Sequence, residues 1–366
     1  MDEERIRAAV VGAERVLQGW LGRPSAREQL AALADATAEG EQADRYGSGE
    51  RIGRFERQIA ALLGKEAAVF LPSGVMAQQI ALRIWCDRRG ARTVALHPTS
   101  HLELHEQKGY QRLHGLYGRQ GGAPNRLIEL SDLESIHEPL AALLLELPQR
   151  EIGGLLPSWD DLVAQTAWAR ERRIAMHLDG ARLWESGPFY GRSYAEIAGL
   201  FDSVYVSFYK GLGALAGAAL AADAELIAEA RVWQRRHGGN LFTLHPYVVS
   251  AELALAERLD RMPAYLDHAR ALGSALATID GIEVVPNPPQ TPLFHVLLRG
   301  DSERLADAAV SVAEERKVFL FAQTYPTTSP SWQRHEVSVG DSTLLLQPDE
   351  VRDLYAEILA RAAASR

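Results

Sequence analysis

The sequence is poor in cysteine and lysine, and it has no long apolar run and no basic stripe. Cys86 is the single cysteine of 366 residues, which excludes an intrachain disulfide and fits a reducing compartment. No apolar run is long enough to span a bilayer, and the acidic residues 1–5 lack the pattern of a secretory signal. The net charge of -9, without a basic stripe, argues against a nucleic-acid partner. These features predict a cytoplasmic protein with no membrane partner.

Lysine occurs only four times, at Lys65, Lys108, Lys210 and Lys317. Lys65 follows a helix-ending glycine and Lys317 lies in a run of charged residues, so both are expected in solvent. Lys210 alone ends an apolar strand, directly before a Gly-Leu-Gly turn. Chemistry that needs a lysine amine is therefore expected at Lys210, with Lys108 as the second candidate.

Two apolar strands organise the middle of the chain. In the stretch 174–182 the apolar residues are followed by Asp179. In the stretch 203–213 they are followed by Lys210. Because the carboxyl ends of parallel strands meet at one edge of a sheet, we expect these two side chains close together. An amine that forms an imine and a carboxylate that keeps a pyridine nitrogen protonated are what pyridoxal 5'-phosphate (PLP) needs. The pair predicts a PLP site.

The wider pattern predicts an α/β fold. Strands alternate with helices across residues 50–240, which favours a mostly parallel sheet covered on both faces. The predicted strands of this sheet are 67–71, 93–96, 127–130, 141–145, the two organising strands and 216–221. Later strands are predicted at 282–285, 293–298, 318–321 and 335–339, among helices. We therefore expect an N-terminal helical arm over 1–45, a large PLP-binding domain over 46–250 and a small α+β domain over 251–366.

Two local patterns leave alternatives open. Ser73 and Gly74 lie between a predicted strand and helix, where free backbone N–H groups can cradle a phosphate, although such a pair is more often a plain helix cap. His101 and His105 are four residues apart, which could form a metal face on a helix. No third ligand is obvious, so no metal is predicted. His101 either stacks on a cofactor ring or serves as a cap or core residue.

Together these residues resemble the L-threonine aldolase and β-eliminating lyase family of fold type I PLP enzymes. The matching segments are 64–74, the stretch around His101, 177–182 and 202–213. The resemblance implies the aspartate aminotransferase-like fold: a large domain with a mostly parallel seven-stranded sheet and a small C-terminal α+β domain. It also implies PLP as cofactor, an amino acid substrate, and a homodimer or homotetramer with active sites shared between subunits.

The resemblance further implies roles for single residues. Lys210 would form the imine with the cofactor, Asp179 would pair with the pyridine nitrogen, and His101 would stack on the ring and assist proton transfer. Arg182 would bind near the cofactor and the substrate carboxylate, which arginine can grip with two hydrogen bonds. The remaining expected contacts are to the phosphate from Ser73, Gly74 and Val75, and to the substrate from Tyr46, Arg334 and His335.

The sequence also departs from the family pattern. Val75 stands where the family has a threonine, Tyr209 where it has a serine, and Gln149 at the end of its Glu-Asn-Thr-His segment. We therefore expect intact cofactor chemistry and an altered substrate pocket. The predicted function is that of an aldehyde-lyase, which cleaves a β-hydroxy-α-amino acid to glycine and an aldehyde by retro-aldol scission. The alternatives are β-elimination or another PLP reaction on a different amino acid, and a PLP-binding protein without activity.

Overall fold

The computed structural model describes residues 3–19 and 24–364. The chain divides into two compact units. The larger unit comprises Ser25–Glu151 and Leu155–Asp260, and the smaller unit comprises the other described residues. The predicted arm 1–45 is thus divided between the two units, and the predicted boundary at residue 250 falls inside a helix, His245–Arg258.

The strands and helices are numbered along the chain. The strands are β1 (Arg15–Val16), β2 (Ala67–Leu71), β3 (Thr93–Leu96), β4 (Tyr117–Gln120), β5 (Ala142–Glu146), β6 (Ala175–Gly180), β7 (Ser203–Ser207), β8 (Ala218–Ala222), β9 (Ile282–Val285), β10 (Leu293–Arg299), β11 (Val318–Phe319), β12 (Tyr325–Pro326) and β13 (Trp332–Ser338). The helices are α1 (Glu3–Gly12), α2 (Ala26–Asp35), α3 (Glu50–Leu62), α4 (Gly74–Arg89), α5 (His101–Leu104), α6 (Gly109–His114), α7 (Leu130–Glu134), α8 (Trp159–Glu171), α9 (Leu183–Tyr190), α10 (Tyr194–Ala198), α11 (Ala224–Arg236), α12 (His245–Arg258), α13 (Met262–Leu276), α14 (Ser302–Arg316) and α15 (Pro348–Ala364). Every described helix is too short or too polar to cross a membrane.

The larger unit is built on a seven-stranded sheet with the order β2-β8-β7-β6-β5-β3-β4. Strand β8 pairs antiparallel with both of its neighbours, and the other pairs are parallel. The residues of β6, β7 and β8 are all buried, as expected for strands covered on both faces. The predicted α/β class with a mostly parallel seven-stranded sheet is confirmed.

One predicted strand of this sheet is wrong. Residues 127–130 form no strand; they lead into α7, and the Ile128 carbonyl accepts a hydrogen bond from Gln165 Nε2 at 2.7 Å. The seventh strand is instead β4, at the edge beside β3. Three of the four residues of β4 are exposed, so its sequence lacks the apolar pattern that marks a buried strand.

The smaller unit contains a four-stranded antiparallel sheet with the order β12-β13-β10-β9. Apolar residues of α1 and α14, with Phe319 of β11, form a separate cluster that includes Ala9 and Val310. The predicted strand 318–321 is shorter than expected and pairs in parallel with β1. The helices α12 and α13 are separated by a 3-10 turn at Leu259–Arg261.

Candidate active site

The carboxyl ends of β5, β6 and β7 bring three functional side chains into one row. The parallel register places Glu146 opposite Asp179 and Asp179 opposite Tyr205. Residues in register on neighbouring strands point to the same face of a sheet, so the three side chains lie side by side. Lys210 comes shortly after the end of β7 and begins a tight turn, in which the Gly213 N–H donates to the Lys210 carbonyl at 3.2 Å.

Asp179 and Lys210 act on each other electrostatically, as the two organising strands predict. Asp179 is only 2% exposed, and its Oδ1 accepts the N–H of Ala181 at 3.1 Å. Burial raises the pKa of the Asp179 carboxyl, and the nearby Lys210 ammonium opposes that rise. Burial also lowers the pKa of the Lys210 amine. The charge of Arg182 lowers this pKa further, and the charge of Asp179 opposes the decrease. An amine with a lowered pKa spends more time as the neutral nucleophile that forms an imine.

Glu146 adds a second carboxyl beside Asp179. Burial, and then the charge of Asp179, raise the pKa of Glu146 to about 8. Its oxygens accept hydrogen bonds from Gln149 Nε2 at 3.2 Å and from the Arg150 N–H at 3.3 Å. Since two adjacent carboxylates repel each other, Glu146 holds its proton near neutral pH.

The start of α4 forms an open cradle of backbone donors. The Ala77 N–H donates to the Ser73 carbonyl at 3.2 Å, so the N–H groups of residues 74–76 precede the helical ladder. Ser73 occupies the N-cap position, yet its hydroxyl makes no capping hydrogen bond. A Cβ on Gly74 would lie 1.9 Å from Tyr205 Oη. Only glycine fits there, because the buried Tyr205 ring brings the sheet directly against the helix start.

His101 begins α5 and is held by a buried carboxyl. Its Nδ1 lies 3.0 Å from Glu106 Oε1. Burial, and then the charge of Lys210, lower the pKa of His101 to about 4. Burial raises the pKa of Glu106 to about 7. The His101 ring is therefore uncharged near pH 7. It lies close enough to Lys210 and Asp179 for both charges to shift its pKa.

Arg182 is also anchored beside this row. Its Nη1 donates to Glu185 Oε1 at 3.2 Å, and the two side chains are 14% and 3% exposed. A Cβ on Gly211 would lie 2.4 Å from the same Glu185 oxygen. Glu185 thus packs between Arg182 and the glycine that follows Lys210, which fixes the arginine relative to the amine.

These residues fit PLP. The cradle at Ser73 and Gly74 suits a phosphate, because N–H groups and the positive helix end favour an anion. The amine of Lys210 and the carboxyl of Asp179 lie near one another and near the flat, neutral ring of His101. Val75, as expected from its side chain, offers the cradle only its backbone N–H. Among the described residues, no group of three side chains is arranged to hold a metal ion.

The other lysines lie in different surroundings. Lys108 Nζ is 3.4 Å from Glu103, and its side chain is 51% exposed. Lys65 is half-buried, with Nζ donating to the Phe201 carbonyl, so the expectation that it lies free in solvent is wrong. Lys317 is exposed, as expected. Lys210 has the largest charge effect on the Asp179 carboxyl.

The three predicted substrate contacts differ in their exposure. Tyr46 is 57% exposed, and its ring packs edge-on against Phe242 at 5.5 Å. Arg334 lies on the half-exposed side of β13, with its guanidinium 5.7 Å from the Tyr325 ring. His335 lies on the buried side, 4% exposed, and packs against Phe321 at 4.7 Å. His335 is thus a core residue of the smaller unit, because strand alternation turns it away from the side of Arg334.

Several side chains of the site carried no sequence signal of their own. Glu106 follows two exposed residues and precedes Gln107 and Lys108, both of which have left-handed backbone angles. Tyr205 lies inside an apolar strand, where a tyrosine is an ordinary core residue. Glu151 reaches His105 from 46 positions away, a contact that no local pattern predicts.

Comparison with known proteins points to one family. Residues 26–299 match the family model described as Beta-eliminating lyase. A protein of Arabidopsis thaliana with the provisional name low-specificity L-threonine aldolase 2 is 28% identical over 282 residues, 74% of this chain and 79% of that one.

Two solved structures are similar over nearly the whole chain. One, from Listeria monocytogenes and provisionally named an L-allo-threonine aldolase, has a TM-score of 0.92 at 38% identity and covers 98% of this chain and 99% of that one. The other, from Exiguobacterium and provisionally named an aromatic amino acid beta-eliminating lyase or threonine aldolase, has a TM-score of 0.92 at 40% identity and the same coverage.

Proposed function

Because the chain belongs to the beta-eliminating lyase family, we propose that it cleaves a β-hydroxy-α-amino acid to glycine and an aldehyde. It is a PLP-dependent lyase of the threonine aldolase type. The observation that carries the proposal is the electrostatic interaction of Asp179 with Lys210, near the carboxyl ends of the neighbouring strands β6 and β7. The names of the similar proteins support Cα–Cβ scission as the reaction.

Each residue of the site has one proposed task toward the cofactor. Bound PLP supplies an electron sink for the pair left on Cα when a bond to that carbon breaks. Lys210 holds its aldehyde carbon, and Asp179 holds the pyridine nitrogen. The N–H groups and hydroxyl at Ser73, Gly74 and Val75 hold its phosphate. His101, kept neutral by its surroundings, packs against the ring face.

The substrate is proposed to bind through arginine and a polar pocket. Arg182, anchored by Glu185, would grip the α-carboxylate with two hydrogen bonds. Tyr46 and Arg334 remain proposed contacts because both side chains reach solvent. His335 is left out, since its ring lies in the core of the smaller unit.

Two further properties belong to the proposal. Exposed Tyr46 and Phe242, 57% and 62% accessible, form an aromatic patch that favours contact with a second copy of this chain. We propose a homodimer or homotetramer whose active sites are shared between subunits, located in the cytoplasm. Light scattering on the wild type and on Phe242→Ser tests the assembly. The expected result is a dimer or larger species that Phe242→Ser weakens, and a monomeric wild type would contradict it.

A product assay tests the reaction itself. Purified protein with PLP is incubated with threonine, allo-threonine and an aromatic β-hydroxy amino acid, and the products are identified. Glycine and an aldehyde in equal amounts are expected, and Lys210→Ala should release neither. A keto acid and ammonia would instead establish β-elimination, the alternative that the changed residues Gln149 and Tyr209 keep open.

A further inference from the structure

His105 lies beside His101 in an arrangement that the proposed cofactor site does not use. The His105 N–H donates to the His101 carbonyl at 2.8 Å, so the two residues are one helical turn apart. Their ring centroids are 5.1 Å apart, with the ring planes at 47°. Both side chains therefore project from the same side of α5. His105 is the more open of the two, with 40% of its side chain exposed against 27% for His101.

A carboxylate orients the His105 ring. Nε2 of His105 lies 2.9 Å from Glu151 Oε1, an oxygen that also accepts a hydrogen bond from Arg150 Nη1 at 2.9 Å. A carboxylate only accepts, so in the neutral ring Nε2 of His105 carries the proton and Nδ1 keeps its lone pair. The Glu151 side chain is only 13% exposed, which holds the pair in one geometry. Histidine paired with carboxylate in this way is the common form of a general base.

The reaction needs such a base, and the neighbouring groups are poorly suited to the task. Cleavage of the Cα–Cβ bond requires that the β-hydroxyl give up its proton. His101 uses Nδ1 for Glu106, and its pKa is lowered to about 4. Gln149 ends in an amide, which does not take up a proton. Glu106 is only 8% exposed, and its carboxyl faces His101.

We propose that His105, oriented by Glu151, accepts the proton of the substrate's β-hydroxyl during cleavage. The O–H bond breaks as its proton moves to Nδ1, and the electron pair of that bond forms the C=O bond of the aldehyde. The Cα–Cβ bond breaks, its electron pair stays with Cα, and Cα takes one proton to give glycine. One proton is removed and one returned, so the protein ends as it began. This inference rests on the proposed function.

The charged and titratable groups that face His105 are His101, Glu106, Glu151 and Arg150. Because several of them titrate, a pH profile alone does not isolate His105. The test therefore compares reactions that need the β-hydroxyl proton with one that does not. Exchange of the α-proton of glycine with solvent uses the same cofactor site and involves no β-hydroxyl.

The holoenzyme is compared with His105→Ala, Glu151→Gln and the control His137→Gln, which changes an exposed histidine of the same unit. His105→Ala should lower kcat/KM for cleavage about 10²- to 10⁴-fold and leave glycine exchange within about threefold. Added imidazole should restore part of the cleavage rate, because the site is open to solvent. Glu151→Gln should lower kcat more than it changes KM, and His137→Gln should change neither.

A measurement without turnover completes the test. Nitrogen NMR of the histidine rings should show His105 protonated on Nε2 and not on Nδ1, and Glu151→Gln should change that spectrum. Cleavage by His105→Ala within about threefold of wild type, loss without imidazole rescue, or the opposite tautomer would overturn the assignment of His105 alone. A wild type that releases no glycine and aldehyde would overturn the proposed function and this inference with it.

Discussion

Gly74 is the position where the structure makes its sharpest prediction about cofactor binding. In Gly74→Ala the new Cβ would lie 1.9 Å from Tyr205 Oη, whereas ordinary contacts begin at 3.4 Å. One of the two groups must therefore move by about 1.5 Å, the difference between these distances. Tyr205 is held inside the sheet, so the first turn of α4 is the part that shifts.

That shift is expected to have two measurable consequences. Overpacking of this kind costs about 1–3 kcal/mol of stability. Displacement of the N–H groups that face the phosphate should weaken PLP binding at least about tenfold, which corresponds to about 1.4 kcal/mol. Equilibrium dialysis measures the affinity for PLP, and urea unfolding of the same samples measures the free energy of unfolding.

Second-site variants separate the clash from other causes. Tyr205→Phe should not rescue Gly74→Ala, because Cζ and Cε2 of the ring would still lie 2.4 and 2.8 Å from the new Cβ. Tyr205→Leu removes those atoms and should restore much of the affinity. Gly53→Ala is the matched control: inside α3 its Cβ would meet only Arg57 Nη1 at 3.5 Å, so it should stabilise the protein slightly. Unchanged PLP affinity in Gly74→Ala would refute the reasoning.

Three further predictions follow from single residues. The buried His177, bonded to Ser203 and Gln78, has its pKa lowered to about 3 by burial, while the unfolded chain takes up this proton near 6.5. The free energy of unfolding should therefore fall as the pH drops below about 6.5. Urea unfolding at pH 7.5 and 5 measures this change, and His177→Gln should make the free energy of unfolding depend less on pH. Arg182→Lys should raise KM for the amino acid about 10- to 100-fold with less effect on kcat, because one ammonium cannot replace two guanidinium hydrogen bonds; an unchanged KM would exclude Arg182 from carboxylate binding. Lys108→Ala should keep the bound-cofactor absorbance, since this exposed side chain pairs only weakly with Glu103; loss of that absorbance would move the imine to Lys108.

The parts of the fold that the sequence predicts well are those whose pattern is set by burial. Strands β2 and β3 begin and end where their apolar runs do, because covered strands must be apolar throughout. The sequence does not predict the edge strand β4, because most of its residues face solvent and show no apolar pattern. The prediction of a strand at 127–130 is wrong because a loop can also bury apolar side chains, as Ile128 does at 6% exposure.

The candidate site divides in the same way. Asp179 lies near the end of β6 and Lys210 comes shortly after β7, so parallel pairing of these strands alone predicts that the two side chains lie near each other. The residues that shift the pKa values of these groups cannot be predicted from the local sequence. Glu146 becomes a proton-holding acid only because β5 lies beside β6, and Glu151 meets His105 only after the loop following β5 folds back. The proximity of Asp179 and Lys210 can therefore be predicted from the sequence, whereas the contacts of Glu146 and Glu151 require the three-dimensional structure.

Chemical mapping of the imine tests the central claim most directly. The PLP-loaded protein is reduced with borohydride, which fixes the cofactor to its lysine, and the labelled peptide is identified by mass spectrometry. The account predicts a single labelled peptide containing Lys210, and no label when Lys210→Ala is treated in the same way. Label on Lys65, Lys108 or Lys317 in the wild type would contradict it.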